Sequence, residues 1–168
     1  MSASADPKLS IRPFLITDTP LLAEIFRASV EELTADAYSD AQREAWVSVA
    51  DDEEAFGARL AAQLTLLGTM AGSPTGFISL KGAEHVDMLY VHPSASGHGV
   101  GSMLLHALEA LAGSRGAKRL TADVSDSAEE FFKHRGFVAQ RRNVAPLGGE
   151  WLSNTTMEKR LAAKEGTS

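Results

Sequence analysis

The sequence predicts a mixed α/β domain in which helices cover both faces of a mostly antiparallel sheet of six to seven strands. Short apolar runs separated by turn residues fill positions 63–91, which is typical of an antiparallel meander. A long apolar helix at about 99–114 then precedes another apolar run, and a helix that crosses between two strands makes them parallel. The 168 residues, 44% of them hydrophobic, fit a single domain, with 1–8 and 164–168 as loose termini.

The N-terminal third predicts one strand and three helices. The stretch LSIRPFL alternates Leu9, Ile11 and Pro13 with polar or exposed positions, which indicates a strand. A helix follows in TDTPLLAEIFRASVEELT, where Pro20 suits a first turn and apolar residues recur at helical spacing. Two further helices are predicted in SDAQREAWVSV and in DDEEAFGARLAA, where the leading acids favour a helix N-terminus.

The remainder of the chain predicts the sheet and two more helices. Strands in QLTLLGTMA and TGFISLKG are joined by a turn at GSP, and EHVDMLYV forms the third strand of the meander. After the long helix, KRLTADV is the parallel strand. The short helix SAEEFFKHR stops at Gly136, which suits a left-handed C-cap. FVAQRRNV and EWLSNTTMEKRL form a last antiparallel hairpin.

Composition and charge exclude several classes of protein. The formal net charge is −6 without a long basic run, which disfavours nucleic acid and anionic membranes as partners. No cysteine is present, and the spacing of the histidines matches no metal motif, so we expect neither disulfides nor a metal. The sequence begins without an export signal and has no apolar stretch long enough to span a membrane, so we expect a cytoplasmic protein.

Glycines recur at alternate positions in SGHGVGS, between a strand and the long helix. The first amides of that helix, at Val100, Gly101 and Ser102, have no intrahelical acceptors and lie at the positive end of the helix dipole. Glycines without β-carbons let an anion approach this backbone, so the loop predicts a phosphate cradle. The alternative is a glycine-rich loop that only caps the helix. A Walker A loop is excluded because no lysine lies between Lys81 and Lys118.

Two motifs here resemble the GCN5-related N-acetyltransferase (GNAT) family. In the first, Val91 and Pro93 match the end of a strand, Gly99 and Gly101 match the two small residues of the loop, and Leu104 and Leu105 match the helix. Ser96 departs from it, because the family usually has Arg or Gln there. The second motif, SDSAEEFFKHRGF, matches at Ser125, Ala128, Phe131, Phe132, Gly136 and Phe137.

The resemblance implies a GNAT-like fold and direct transfer of an acetyl group from acetyl-CoA to a primary amine of a small molecule or peptide, within a ternary complex. It implies that two neighbouring strands splay apart around the pantetheine. The residues it assigns to acetyl-CoA are Leu89, Tyr90, Val91, Ser96, Gly97, His98, Gly99, Val100, Gly101, Ser102, Ser125 and Phe132. A homodimer is one assembly it leaves open.

The resemblance implies a proton acceptor on the strand before the glycine loop, commonly a Glu, Asp or His. We expect Asp87 first and His85 second, because their side chains share one face of the strand whereas Glu84 points the other way. The alternative for Asp87 is a structural role, either as the cap of a turn or in a pair with a nearby arginine. Phe132 stands where the family usually has a tyrosine general acid, and Ser125 or Tyr90 are its possible replacements. Phe132 and Ser96 also support an alternative function, a CoA-binding regulatory module without turnover.

The substrate pocket is predicted in the N-terminal helices and the last hairpin. Tyr38, Gln42 and Trp46 recur every four residues, which predicts one helical face that carries aromatic and amide groups. Core packing explains Trp46 and Tyr38 equally well. Trp151 and Asn154, on the last hairpin, are expected to close the pocket.

Overall fold

A computed structural model describes residues 8–162, so most of the predicted loose termini lies outside the described residues. The strands are β1 (Leu9–Pro13), β2 (Leu64–Met70), β3 (Ser73–Lys81), β4 (His85–Val91), β5 (Arg119–Ser125), β6 (Val138–Leu147) and β7 (Glu150–Arg160). The helices are α1 (Thr19–Leu33), α2 (Asp40–Val47), α3 (Glu53–Ala61), α4 (Val100–Ser114) and α5 (Glu129–Lys133). None of these helices is long and apolar enough to cross a membrane.

All seven strands form one mixed sheet in the order β1-β2-β3-β4-β5-β7-β6. Every neighbouring pair is antiparallel except β4 and β5, which are parallel because α4 crosses between them. The predicted fold class and the predicted elements are confirmed. The β2–β3 hairpin turns at Ala71 and Gly72, both with positive φ, rather than at GSP. Two residues with positive φ match the twist of a tight hairpin.

The helices divide the core between the two faces of the sheet. Helices α1 to α3 cover one face, where Phe26, Phe56 and Phe77 are almost fully buried. Helices α4 and α5 cover the other face, where Leu104 and Leu108 are fully buried. Burying these side chains contributes roughly 1.5–3 kcal/mol each, so both faces are fixed to the sheet.

The start of α4 is held against the sheet by two glycines. A β-carbon at Gly68 of β2 or at Gly76 of β3 would lie 3.0 Å from a methyl group of Val100. The Val100 side chain is buried as a result, although its amide belongs to the first turn of α4. This close approach fixes the N-terminus of α4 beside the end of β4.

Strand β4 carries a bulge at Asp87. Leu80 of β3 pairs with Val86 and Ser79 pairs with Met88, so Asp87 has no partner in the β3 register. The extra residue switches the faces of the strand: Val86 packs on the α4 side, whereas Met88 packs on the α1 side. Tyr90, two residues further on, therefore packs on the α1 side as well.

Candidate active site

Strands β4 and β5 separate soon after they begin. Their parallel register extends over only two pairs, His85 with Thr121 and Val86 with Ala122. Beyond them a cleft of about 340 Å³ opens beside the end of β4. Seven predicted cofactor residues line it: Leu89, Tyr90, Val91, Ser96, Gly101, Ser125 and Phe132. We call this space the cofactor cleft. Ser29 and Leu33 of α1, and Thr34 just after it, also line the cleft, and no sequence pattern predicted them.

The glycine loop leads from β4 into α4 at one end of the cofactor cleft. Gly97 and Gly99 both have a positive φ, of 82° and 86°, which a residue with a β-carbon adopts only with strain. The first helical hydrogen bond runs from the Met103 N–H to the Gly99 carbonyl oxygen, 3.0 Å away. The amides of Val100, Gly101 and Ser102 precede it and have no helical acceptors. The loop thus presents a turn of amides suited to an anion.

Gly101 is needed for a different reason from the other two glycines. Its φ is not positive, but a β-carbon there would lie 3.2 Å from the ring of Phe131 and 3.6 Å from Val91. The space that the missing side chain leaves is therefore largely occupied by Phe131. A substitution at Gly101 disturbs the packing of α4 on α5 as well as the cradle.

Arg135 adds a positive charge beside the same turn of α4. Its Nε donates a hydrogen bond to the Ser102 Oγ over 2.7 Å, and its guanidinium lies 3.7 Å from the centre of the Phe131 ring. Arg135 lies within the second motif but is not one of the positions that match the family there. A fixed cation next to free amides strengthens an anion site.

A second pocket, of about 270 Å³, lies between α2, β5 and the β6–β7 hairpin. We call it the acceptor pocket. Its wall consists of Tyr38, Trp46, Tyr90, Asp123, Ser125, Ala145, Pro146, Leu147, Leu152, Ser153 and Asn154. Trp46, Tyr90 and Ser125 line both this pocket and the cofactor cleft. The two spaces therefore meet at these three side chains.

The predicted substrate residues fall into two groups. Trp46, Asn154 and Tyr38 line the acceptor pocket, but Tyr38 precedes α2 and does not belong to its helical face. The Gln42 amide is engaged, because its Oε1 accepts from the Ser39 N–H and its Nε2 donates to the Trp151 carbonyl oxygen. The Trp151 side chain is 62% exposed and lies outside the pocket wall. Gln42 and Trp151 thus support the pocket from outside.

Tyr38 links three segments around the acceptor pocket. Its buried hydroxyl donates to the Ser153 carbonyl oxygen over 2.6 Å and accepts from the Asp126 N–H over 2.9 Å. Burial raises the pKa of the Tyr38 phenol. Both hydrogen-bonding roles of the hydroxyl are therefore used within the protein, and the Tyr38 ring supplies an aromatic wall.

Tyr90 is the phenol at the junction of the two spaces. Its hydroxyl accepts a hydrogen bond from the Trp46 Nε1 over 3.2 Å, and its ring packs edge-on against Phe26. Burial raises the pKa of Tyr90 to about 12. Phe132 is 5% exposed and packs edge-on against Phe131 and Phe137. Since phenylalanine has no hydroxyl, the position of the family's tyrosine carries no proton donor here.

Asp87 is engaged in an ion pair. Its carboxylate accepts hydrogen bonds from Arg59 over 2.9 and 3.1 Å and from the Gln63 Nε2 over 2.9 Å. Burial acts to raise the pKa of Asp87, but the hydrogen bonds from Arg59 and Gln63 outweigh it and lower the pKa below its usual value. These contacts match the structural alternative and make Asp87 a weak base.

His85 lies at the paired start of β4 and faces β5. Its Nδ1 is 2.9 Å from the Thr121 Oγ1, and its Nε2 is 3.9 Å from the Asp123 carboxylate. Asp123, which the sequence analysis missed, lines the acceptor pocket. The alternation of Thr121, Asp123 and Ser125 with the buried Leu120, Ala122 and Val124 is the sequence signal for a polar face here. Within residues 8–162, no three His, Cys, Asp or Glu side chains are grouped to hold a metal ion.

Comparison with known proteins gives the family. The model of the acetyltransferase (GNAT) domain matches residues 34–161. The peptidyl-lysine N-acetyltransferase YjaB of Salmonella typhimurium is 34% identical over 132 residues, which cover 76% of this chain and 72% of YjaB.

Two solved structures share the whole fold. A GCN5-related N-acetyltransferase from Rhodopseudomonas palustris superposes with a TM-score of 0.91 and 55% identity, covering 95% of this chain and 100% of the other. The PaiA N-acetyltransferase of Thermoplasma acidophilum, solved in complex with coenzyme A, has a TM-score of 0.75 and 22% identity, covering 91% and 99%.

Within the mixed sheet, two parallel strands separate beside the glycine-rich start of a helix. This arrangement defines the acyltransferase class of fold that the two motifs imply. The chain belongs to the GCN5-related N-acetyltransferase family. It is an N-acetyltransferase of the GNAT type.

Proposed function

We propose that the enzyme transfers the acetyl group of acetyl-CoA directly to a primary amine, with both substrates bound at once. The observation that supports this most is the junction of two spaces at Trp46, Tyr90 and Ser125. A thioester that enters through the cofactor cleft and an amine in the acceptor pocket would meet there without a covalent enzyme intermediate. Holding both reactants in one geometry is a large source of rate enhancement.

The cofactor cleft fits acetyl-CoA. The amides at the start of α4 and Arg135 would hold the pyrophosphate, while Leu89 and Val91, on the freed edge of β4, would pair with the pantetheine. Ser125 would approach the pantetheine from the opposite strand. The coenzyme A complex of the PaiA enzyme, which shares this fold, supports the assignment.

We propose that the protein described here is located in the cytoplasm.

We propose His85 rather than Asp87 as the proton acceptor. Asp87 accepts three hydrogen bonds and has a lowered pKa, so it holds its surroundings together. His85 has one partner at hydrogen-bonding distance, Thr121, and its Nε2 faces Asp123 on the wall of the acceptor pocket. The amine would lose its proton towards His85, attack the thioester carbonyl, and release coenzyme A as the carbon–sulfur bond breaks.

For the acceptor we propose a lysine side chain of a protein or peptide ahead of a free small amine. The apolar side of the acceptor pocket, lined by Pro146, Leu147 and Leu152, suits the methylene chain of lysine. The name of the YjaB relative, peptidyl-lysine N-acetyltransferase, supports this choice. The open acceptor pocket favours turnover over the alternative of a regulatory module.

The test is release of coenzyme A thiol from acetyl-CoA across a panel of amines that includes lysine peptides, with mass detection of the acetylated product. We expect thiol release that depends on the amine and yields one acetylated product per thiol. The control without amine measures hydrolysis. Tight binding of acetyl-CoA with no amine-dependent release would support the regulatory module instead.

A further inference from the structure

Asp123 is the carboxylate that faces the acceptor pocket. On β5, the buried Leu120, Ala122 and Val124 pack towards α4, which places Asp123 on the opposite face of the strand. Its side chain is 48% exposed. Asp123 lines the acceptor pocket and also the small gap between β4 and β5 that reaches Phe132. It therefore lies between the acceptor and the reacting end of the cofactor cleft.

No other side chain on the wall of the acceptor pocket, as described for residues 8–162, carries a charge. The remaining wall is aromatic at Tyr38, Trp46 and Tyr90, aliphatic along the hairpin, and hydroxyl or amide at the serines and Asn154. A pocket with aromatic faces and one carboxylate attracts a cation through both the ring quadrupoles and the charge.

A chain of hydrogen bonds fixes the orientation of Asp123. The Asn143 amide donates to the Thr156 Oγ1 over 2.8 Å, and the Thr156 hydroxyl donates to the Asp123 Oδ1 over 2.6 Å. The second oxygen, Oδ2, lies 3.9 Å from the His85 Nε2 and pairs with no lysine or arginine of the described residues. One oxygen is thus anchored and the other is open, in contrast to Asp87, whose oxygens are both occupied by donors.

We propose that Asp123 binds the acceptor amine in its protonated form and makes the enzyme selective for alkylammonium acceptors. This inference rests on the proposed function. Primary alkylamines have pKa values of about 10.4, so they approach the pocket as cations. His85, beside the same carboxylate, is then placed to take the proton that must leave before the nitrogen attacks. An acceptor with a carboxylate next to its amine is disfavoured, because that charge would oppose Asp123.

The experiment compares wild type with Asp123→Asn, which keeps an acceptor for the Thr156 hydroxyl. The acceptor is the best amine from the panel, and the probe is the alcohol of the same carbon skeleton, a neutral competitor of similar size. In Asp123→Asn we expect the KM for the amine to rise ~10-fold or more, the loss typical of a charge-assisted hydrogen bond. The inhibition constant of the alcohol should change less than about threefold, because it carries no charge.

The matched control is Glu158→Gln, which removes one acid that pairs with Arg119 outside the acceptor pocket and should move neither constant. Equal rises for amine and alcohol in Asp123→Asn would mean that the pocket has merely lost its shape, and an unchanged KM would mean that the carboxylate does not bind the amine. Either result overturns the inference while the proposed function stands. If wild type acetylates no amine, the proposed function fails first and the inference fails with it.

Discussion

The cofactor cleft and the acceptor pocket meet at three residues but are built in opposite ways. The cleft takes most of its wall from two short stretches, 89–101 and 125–132, and the backbone of the glycine loop supplies its anion-binding groups. The acceptor pocket takes its wall from segments far apart in sequence, at 38–46, 90, 123–125 and 145–154, and depends on side chains. On the proposed function, acetyl-CoA would therefore be held largely by main-chain groups, and the acceptor by side chains.

The cleft and the pocket also differ in the number of polar groups that have no hydrogen-bond partner within the described residues. In the acceptor pocket Tyr38 is occupied by internal hydrogen bonds, and beside it Gln42 is engaged in the same way. Asp123 keeps one open oxygen, and the Oδ1 of Asn154 already accepts from Asn143. On the proposed function, selectivity for the acceptor would rest on few groups, whereas the cradle would distribute the binding of a pyrophosphate over several amides and Arg135.

The largest effect should come from removing the proposed base, His85, on the acceptor side of the site. In His85→Gln the side chain keeps a polar contact to Thr121 but loses the base, so kcat should fall ~10²-fold or more while acetyl-CoA affinity holds. Asp87→Asn is the matched comparison on the same strand and should retain most of the wild-type kcat. Steady-state kinetics and calorimetry provide both measurements. An equal loss in the two variants would restore Asp87 as the base.

Asp87→Asn should instead act on stability. Removing the pair with the half-exposed Arg59 should lower the free energy of unfolding by about 1 kcal/mol at pH 7. The pKa of Asp87 is lower in the folded than in the unfolded protein, so the stabilisation is complete above about pH 4 and is lost as the pH falls through the folded pKa. The stability difference between wild type and variant, measured by denaturant unfolding, should therefore shrink below pH 4.

On the cofactor side, the next effect is expected from a substitution at Ser102. Ser102→Asp puts a carboxylate among the free amides and against Arg135, which stabilises the helix start but repels pyrophosphate. The dissociation constant of acetyl-CoA should rise ~10-fold or more, equivalent to about 1.4 kcal/mol. Ser102→Asn, similar in size and neutral, should bind nearly as well as wild type. Equal affinity in both variants, measured by calorimetry, would place the pyrophosphate elsewhere.

The cleft could be predicted from the sequence because its signals are local. Gly97 and Gly99 were readable as a loop before a helix, and the positive φ at both confirms that conformation. The role of Gly101 could not be read in full, since the ring that fills its space belongs to Phe131 on another helix. The bulge at Asp87 was equally hidden, because a register shift depends on the pairing strand rather than on the residue itself.

The acceptor pocket could be predicted only in part. The repeat of Tyr38, Gln42 and Trp46 predicts one helical face, but the Ser39 cap starts α2 after Tyr38. The position of Trp151 on the last hairpin predicts that it closes the pocket, yet its side chain is 62% exposed to solvent. Asp123 escaped notice since nothing within β5 reveals that Thr156, 33 residues later, anchors its carboxylate. Contacts between distant segments decide which polar groups remain free.

The smallest effect is expected in the cofactor cleft, where Phe132 occupies the position of the family's general acid. A thiol has a pKa of about 8.5, so coenzyme A can leave as a thiolate without a donor, and kcat should rise with pH and then level off. Phe132→Tyr adds a hydroxyl at the wall of the cofactor cleft and should change kcat by less than about threefold. Phe132→Leu controls for the loss of packing against Phe131 and Phe137.

The measurement is the pH profile of kcat for wild type, Phe132→Tyr and Phe132→Leu, with folding checked by circular dichroism at each pH. A steep decline near pH 9 in folded wild type would mean that a group donates the proton. Burial raises the pKa of Tyr90 to about 12, so Ser125→Ala would be the first variant to test for that donor.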